Sequence, residues 1–211
     1  MEQTAISTSR RTGRPRAFDR DAALDVAMRL FWTQGYEATS IADLCSQMRI
    51  TPPSLYAAFG DKQRLFRETV HRYLGGADAV VRTIEAALTA RDAAHDLLTA
   101  AAIGDTGEDT PPGCLLASSI VSSSAGAADI REELAAIRRK IEATLRARIA
   151  RDVADGRLPA DTNADMLAGH AFSIVQGMST LAKDGAGRDK LLGIVEMAMA
   201  CWPRAKGEEA A

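Results

Sequence analysis

Thr51, Pro53, Ser54 and Tyr56 fall in one short stretch and bring together two hydroxyls, a pyrrolidine ring and a phenol. Such groups do not form an acid–base pair or a metal site. They can offer another surface a few hydrogen bonds and small apolar contacts. The chain as a whole holds no catalytic constellation. The serines of Ser118-Ser119 and Ser122-Ser123-Ser124 have no base paired with them by local spacing. The useful chemistry is therefore recognition, and its worth depends on the elements that present these side chains.

Two short helices joined by a tight turn would do so. Over residues 39–65 the sequence reads TSIADLCSQMRITPPSLYAAFGDKQRL. Ser40 with Asp43 three residues later forms a capping-box-like start. Ile41, Leu44, Cys45 and Met48 then repeat at helical spacing along one apolar stripe. Arg49 and Ile50 make the turn, Thr51 suits an N-cap, and Pro52 fits the first helical position. Leu55 and Phe59 point inward, which leaves Thr51, Pro53, Ser54 and Tyr56 outward. A short helix with small polar groups and one tyrosine at its leading end has the shape that enters a major groove. The stretch reads as a helix-turn-helix.

Charge supports that reading. The net charge of −2 over 211 residues conceals an asymmetry: residues 1–76 carry 11 Lys/Arg against 8 Asp/Glu, and residues 77–211 carry 15 against 20. Much of the basic excess lies in Arg10, Arg11, Arg14 and Arg16, within an acid-poor arm over residues 1–17 that is expected to be disordered. Such an arm can neutralise phosphates or enter a minor groove; the alternative is a solvated tail. With 46% apolar and 5% aromatic residues and few alternating β-branched runs, the chain is expected to be all-α. Cys45, Cys114 and Cys201 are odd in number and far apart, which suggests neither a disulfide framework nor a zinc site and fits a reducing cytoplasm. No apolar run approaches the roughly 20 residues that cross a bilayer.

Turn residues divide the rest. Helices are expected over 19–34, through the motif, and from Lys62 towards Leu74. Gly75-Gly76 then marks a break between a DNA-binding domain at 18–76 and a second domain at 77–211. Further helices are expected at 78–90, 92–103, 114–124, 128–155, 163–183 and 187–202. An acidic Gly/Pro loop spans 104–113. No cofactor-type glycine loop is present, and no cofactor is expected.

Residues 13–74 resemble the TetR family of bacterial transcriptional regulators. The likeness is carried by Gly13-Arg14-Pro15-Arg16, by Leu30-Phe31, Gly35-Tyr36 and Thr39-Ser40-Ile41, and by Leu55 through Lys62 (LYAAFGDK). The second domain resembles that family's effector-binding and dimerisation domain more loosely, at Gly113 to Leu116, Gly156 to Pro159, Gln176 to Met178 and Lys183 to Ala186. The resemblance implies a homodimer that binds a palindromic operator in double-stranded DNA as a repressor and is released by a small-molecule effector not named by the sequence. It places DNA contacts at Arg14, Arg16, Ser40, Thr51, Pro53, Ser54, Tyr56 and Lys62. Ala42, where the family often has arginine, and Ala57-Ala58, where it often has Tyr-His, depart from the pattern and put an inherited operator sequence in doubt. The last two helices would pair with their mates through small and flexible apolar residues or, alternatively, face only their own core. The effector site is expected among Leu98, Cys114, Leu115, Ser118, Val121, Phe172 and Gln176, with ordinary core as the competing and commoner role for such residues. Cys114, behind a glycine at a helix start, is either a thiol of lowered pKa or an inert buried one. An architectural DNA-binding protein without an effector is the alternative function.

Overall fold

The structure is a computed structural model that describes residues 18–75, 78–118 and 128–204, with the side chain of Ser118 outside that set. Among the described residues the regular elements are all helices: α1 (Arg20–Gln34), α2 (Ile41–Met48), α3 (Pro52–Phe59), α4 (Lys62–Tyr73), α5 (Ala79–Ala86), α6 (Ala90–Asp105), α7 (Leu115–Ser118), α8 (Ala128–Ala154), α9 (Ala164–Lys183) and α10 (Arg188–Ala200). The all-α expectation is met.

Local chemistry sets most boundaries. Asp19 caps α1 by accepting the backbone N–H groups of Asp21 and Ala22, and Asn163 does the same for α9 from Asp165 and Met166. Gly35 ends α1 with a φ of 82° that a side chain would strain. α5 stops at Ala86, short of the expected residue 90, and a buried ion pair accounts for it. Arg148 on α8 donates to the carbonyls of Ala87 and Leu88 and so holds the chain where Ala87 turns extended at ψ 143°. Thr89 instead caps α6 by accepting from Asp92 N–H. Arg148 also pairs with Asp152 at 2.5 Å, both side chains being at most 5% exposed. Asp152 in turn accepts from Ala90 N–H at 2.6 Å.

Two packed cores result. The larger joins α5, α6, α8, α9 and α10 around Ile84, Leu98, Leu145, Ile149, Met178 and Leu191. The smaller gathers Phe31, Leu44, Leu55, Phe59, Leu65 and Phe66 from α1 to α4. Phe31 and Phe66 meet edge to face, with ring centroids 5.1 Å apart. The smaller core is not closed by its own four helices. Leu115 and Leu116 from α7 and Ile130 and Leu134 from α8, all buried, complete it. Arg67 of α4 pairs with Glu133 of α8 at 2.6 Å across the same seam.

Removing one partner of a buried ion pair strands the other charge. Replacing Asp152 with Ala is expected to destabilise the fold by about 3–5 kcal/mol, read as a lowered urea midpoint. An unchanged midpoint would show that Arg148 finds water there.

Candidate nucleic-acid interface and internal cavity

The turn between α2 and α3 is built by Arg49, a non-glycine residue in the left-handed region at φ 55°. α2 begins with the full capping box: Asp43 N–H donates to Ser40 Oγ at 3.0 Å, and Ser40 N–H donates back to Asp43 Oδ2 at 3.0 Å. Ser40 Oγ–H also goes to Asp43, at 2.6 Å. Both donors of Ser40 are thus engaged inside the helix start, which leaves the first amides of α2 as the groups able to meet a phosphate.

α3 anchors itself through Leu55 and Phe59, both buried, and leaves Thr51, Pro53 and Tyr56 exposed. Tyr56 is 48% exposed, so it is a surface side chain and not a packing residue. Ser54 is half-buried, and its hydroxyl lies 3.0 Å from that of Thr51. The two hydroxyls therefore orient each other, and Thr51 caps α3 by position without a side-chain hydrogen bond to the helix. Beyond α3, Lys62 reaches back across the Tyr36 ring, its ammonium 4.4 Å from the ring centroid. It also donates to the Glu37 carbonyl at 3.4 Å. Partial burial holds its pKa below the usual lysine value, and Glu37 works against that shift. Arg20 braces α3 from behind: it donates to the Ala58 carbonyl, pairs with Glu68 at 2.6 Å and lies over the Phe59 ring. Arg14 and Arg16 lie outside the described residues.

A cavity of about 360 Å³ sits where the two cores meet. Its walls come from α5, α6, α8 and α9, and from Tyr73 and Leu74 at the end of α4. Of the residues expected there, Cys114, Phe172 and Gln176 line it. Leu98 and Leu115 do not: each is at most 1% exposed and belongs to a packed core. On α6 the lining face instead carries Ala93, Leu97, Ala100, Ala101 and Gly104. The three alanines and Gly104 leave open space that larger side chains would fill. Val121 and the side chain of Ser118 lie outside the described residues.

Polar groups gather at one part of the wall. Tyr73 OH donates to Cys114 Sγ at 3.3 Å, and burial pushes the Tyr73 phenol well above its usual range. Burial likewise pushes the Cys114 thiol up, and the Tyr73 hydrogen bond offsets only part of it. Of the two readings of Cys114, burial favours the inert thiol, because the thiolate is the disfavoured form. Arg138 donates to the Leu116 carbonyl at 3.1 Å. Asp105, 2% exposed, has its carboxyl pushed up to about 6 by burial, against a lowering pull from Lys183. Its backbone carbonyl accepts from Gly113 N–H at 2.9 Å. Gly113 C=O in turn accepts from Trp32 Nε1 of α1 at 2.6 Å. Gly113, at φ 77°, cannot be replaced without strain: a Cβ there would lie 2.8 Å from the Ser179 carbonyl. Tyr73, Asp105, Arg138 and the small face of α6 were not foreseen from the sequence. The alanine run at 100–102 was the available signal.

Two family models match, one described as bacterial regulatory proteins of the tetR family over residues 23–69 and one as the tetracyclin repressor-like C-terminal domain over residues 96–191. The HTH-type transcriptional repressor ComR of Escherichia coli (strain K12) is 38% identical, over 90% of this chain and 92% of that protein. The chain belongs to the TetR family. A cysteine-substituted form of the TetR family regulator CifR, solved with 26-base-pair operator DNA, superposes with a TM-score of 0.83 at 41% identity, over 90% of this chain and all of that one. A putative TetR regulator from Rhodococcus sp. RHA1 is 38% identical and superposes at 0.62 over 87% of this chain and 99% of that one. As a TetR family member the protein is a DNA-binding transcriptional regulator, with α2 and α3 as its helix-turn-helix.

Asp105 gives the fold a pH signature. Its folded pKa, about 6, lies above the ordinary 3.8, so the native state holds the proton more tightly than the unfolded chain. Its contribution to stability is therefore complete below the ordinary value and is lost as pH rises through the folded one. Asp105→Asn is expected to abolish this component. As pH rises from 4 to 6, within the interval that the two values span, the variant should gain on the parent in thermal melts. Parallel stability–pH curves would refute the burial of an ionisable carboxyl here.

Proposed function

We propose that the protein is a dimeric, ligand-responsive transcriptional repressor that binds a two-fold operator and is released when a small molecule fills the cavity at the seam. One observation supports this reading above others: Tyr73 and Leu74, at the end of the helix that follows the reading helix, form part of the cavity wall. A ligand that fits the cavity in only one placement of α4 would favour that placement, and DNA would respond only if it prefers another. An architectural protein without an effector has no use for such a cavity.

In this reading α3 enters the major groove with Thr51, Pro53, Ser54 and Tyr56 at the bases. The ring of Tyr56 or Pro53 packs against a thymine methyl. Lys62 and the start of α2 at Ser40 meet phosphates, and Arg14 and Arg16 add charge from the arm. The CifR complex with operator DNA supports the assignment by likeness. Pairing runs through α9 and α10. Ala168, Ala171, Met178, Leu191 and Val195 face their own core, but Met166 and Met197 are 70% and 73% exposed. Gly177 and Gly193 on the same two helices have open space around them, which permits close helix approach. Two-fold pairing would set the two copies of α3 about 34 Å apart or a multiple of that. Among the described residues no helix is long and apolar enough to cross a membrane, and we place the protein in the cytoplasm.

Lys62→Ala is expected to weaken binding to every duplex sequence and to lower the salt slope by about 1 per protomer, hence about 2 for the dimer. Tyr56→Ala is expected to cost ~1–3 kcal/mol at one position of each half-site and leave the salt slope alone. Fluorescence anisotropy on duplexes selected from random DNA measures both. Parental affinity and slope in both variants would refute the interface.

A further inference from the structure

One buried carboxylate interrupts the mostly apolar wall of the seam cavity. Asp105 is the last residue of α6, and its Oδ2 is buried with no hydrogen-bond partner among the described residues. The side chain does not cap the helix, because the orphan groups at a C-terminus are carbonyls, which a carboxylate cannot serve, and Gly113 N–H goes to the backbone carbonyl of the same residue. An ionised carboxylate with one oxygen out of water and without a donor is costly to keep. A site that bears such a cost has an acceptor ready for something that brings donors.

The groups facing Asp105 define what that is. Tyr73 of α4 and Cys114 ahead of α7 both feel its negative charge, and Tyr73 spends its hydroxyl proton on Cys114. Lys183 of α9 is the cation whose field favours the ionised form, and it is exposed to water. Arg138 of α8 gives an N–H to Leu116 C=O and is coupled to Cys114. The same wall also carries Asp96 of α6, a second carboxylate that is exposed to water, and Gln176 of α9; the remainder near these helices is apolar, with Leu97, Ala100, Phe172 and Val175. We propose that the cavity takes a small organic amine, an apolar body bearing one protonated nitrogen, with the ammonium donating to Asp105. This rests on the reading of the cavity as the effector site and specifies its ligand. A carboxylic acid would meet like charge, and an alcohol would satisfy one lone pair while leaving the charge unbalanced. An ammonium supplies both the charge and up to three donors. Asp105 is thus the specificity-determining residue. Through Gly113 its backbone is two hydrogen bonds from Trp32 of α1, so occupancy at this end of the cavity bears directly on the N-terminal helices.

Phenylbutylamine, phenylbutanol and phenylbutyrate share one body and differ in the head group alone. In calorimetric titrations of the full-length protein near neutral pH, the amine is expected to bind at least about tenfold tighter than either of the others. Asp105→Asn should erase that preference and leave the alcohol within about threefold of its parental affinity. Lowering the pH below about 6 should weaken the amine as the carboxyl takes up its proton. The proposal is overturned by equal or tighter binding of the acid or alcohol, by a preference that survives Asp105→Asn, or by no binding of all three. Should the variant fail to fold, the Asp105 carboxyl resonance in the parent decides: bound amine must lower its titration midpoint, and an unmoved midpoint is contrary. DNA binding by the same sample separates the failures. A protein that binds duplex DNA but ignores the amine loses this proposal alone, whereas one that binds no duplex loses the regulator reading itself.

Discussion

The N-terminal helices of this protein cannot bury their own apolar faces. α1 to α4 pack Phe31, Phe59 and Phe66 together, and the remaining exposure is covered by Leu115, Leu116, Ile130 and Leu134 from the second half of the chain. A unit of this size has little core to spare, so the borrowed side chains are part of what keeps α3 in position. Everything that distinguishes the protein from a bare helix-turn-helix follows from that dependence. The reading helix packs on α4, and the far end of α4 contributes Tyr73 and Leu74 to the wall of a cavity.

The seam is fastened at separate points by different chemistry. Arg67 and Glu133 form a half-exposed ion pair there, of the kind that contributes little by itself. Trp32 is buried and donates to Gly113 C=O, and its ring meets Tyr73 edge to face with centroids 4.8 Å apart. Tyr73 continues to Cys114, and Cys114 N–H is held by Ser179 Oγ of α9 at 2.8 Å. Buried hydrogen bonds of this sort are costly to leave unmade. Tilting α4 against α9 would break these contacts together, so any second placement of α4 must find partners for the same groups.

Much of the helix-turn-helix was legible in the sequence because its signals are local. The Ser40–Asp43 box, the proline at the start of α3 and the inward spacing of Leu55 and Phe59 are decided within a few residues. The cavity was not legible in that way. Leu97 and Leu98 are adjacent leucines on one helix, and only the arrival of α9 decides which faces a neighbour and which faces a void. Leu115 looked like a lining residue and is buried in the smaller core, because α7 turns it towards α1 and α4. The early end of α5 goes with Arg148, which holds the Ala87 carbonyl from 61 residues away in sequence. Cys114 follows a glycine at a helix start, yet burial outweighs any benefit of that position for its thiolate. Each miss is a long-range contact overriding a local preference.

Native-state hydrogen exchange, read by mass spectrometry, tests the shared core most directly. If α7 and α8 complete the fold of the N-terminal helices, the slowest amides of α1 and α4 should be as well protected as those of α8. The two sets should also lose protection together as urea is added. Protection in α1 and α4 that collapses at low urea while α8 stays closed would mean that the reading head folds apart from the body. The seam would then couple nothing.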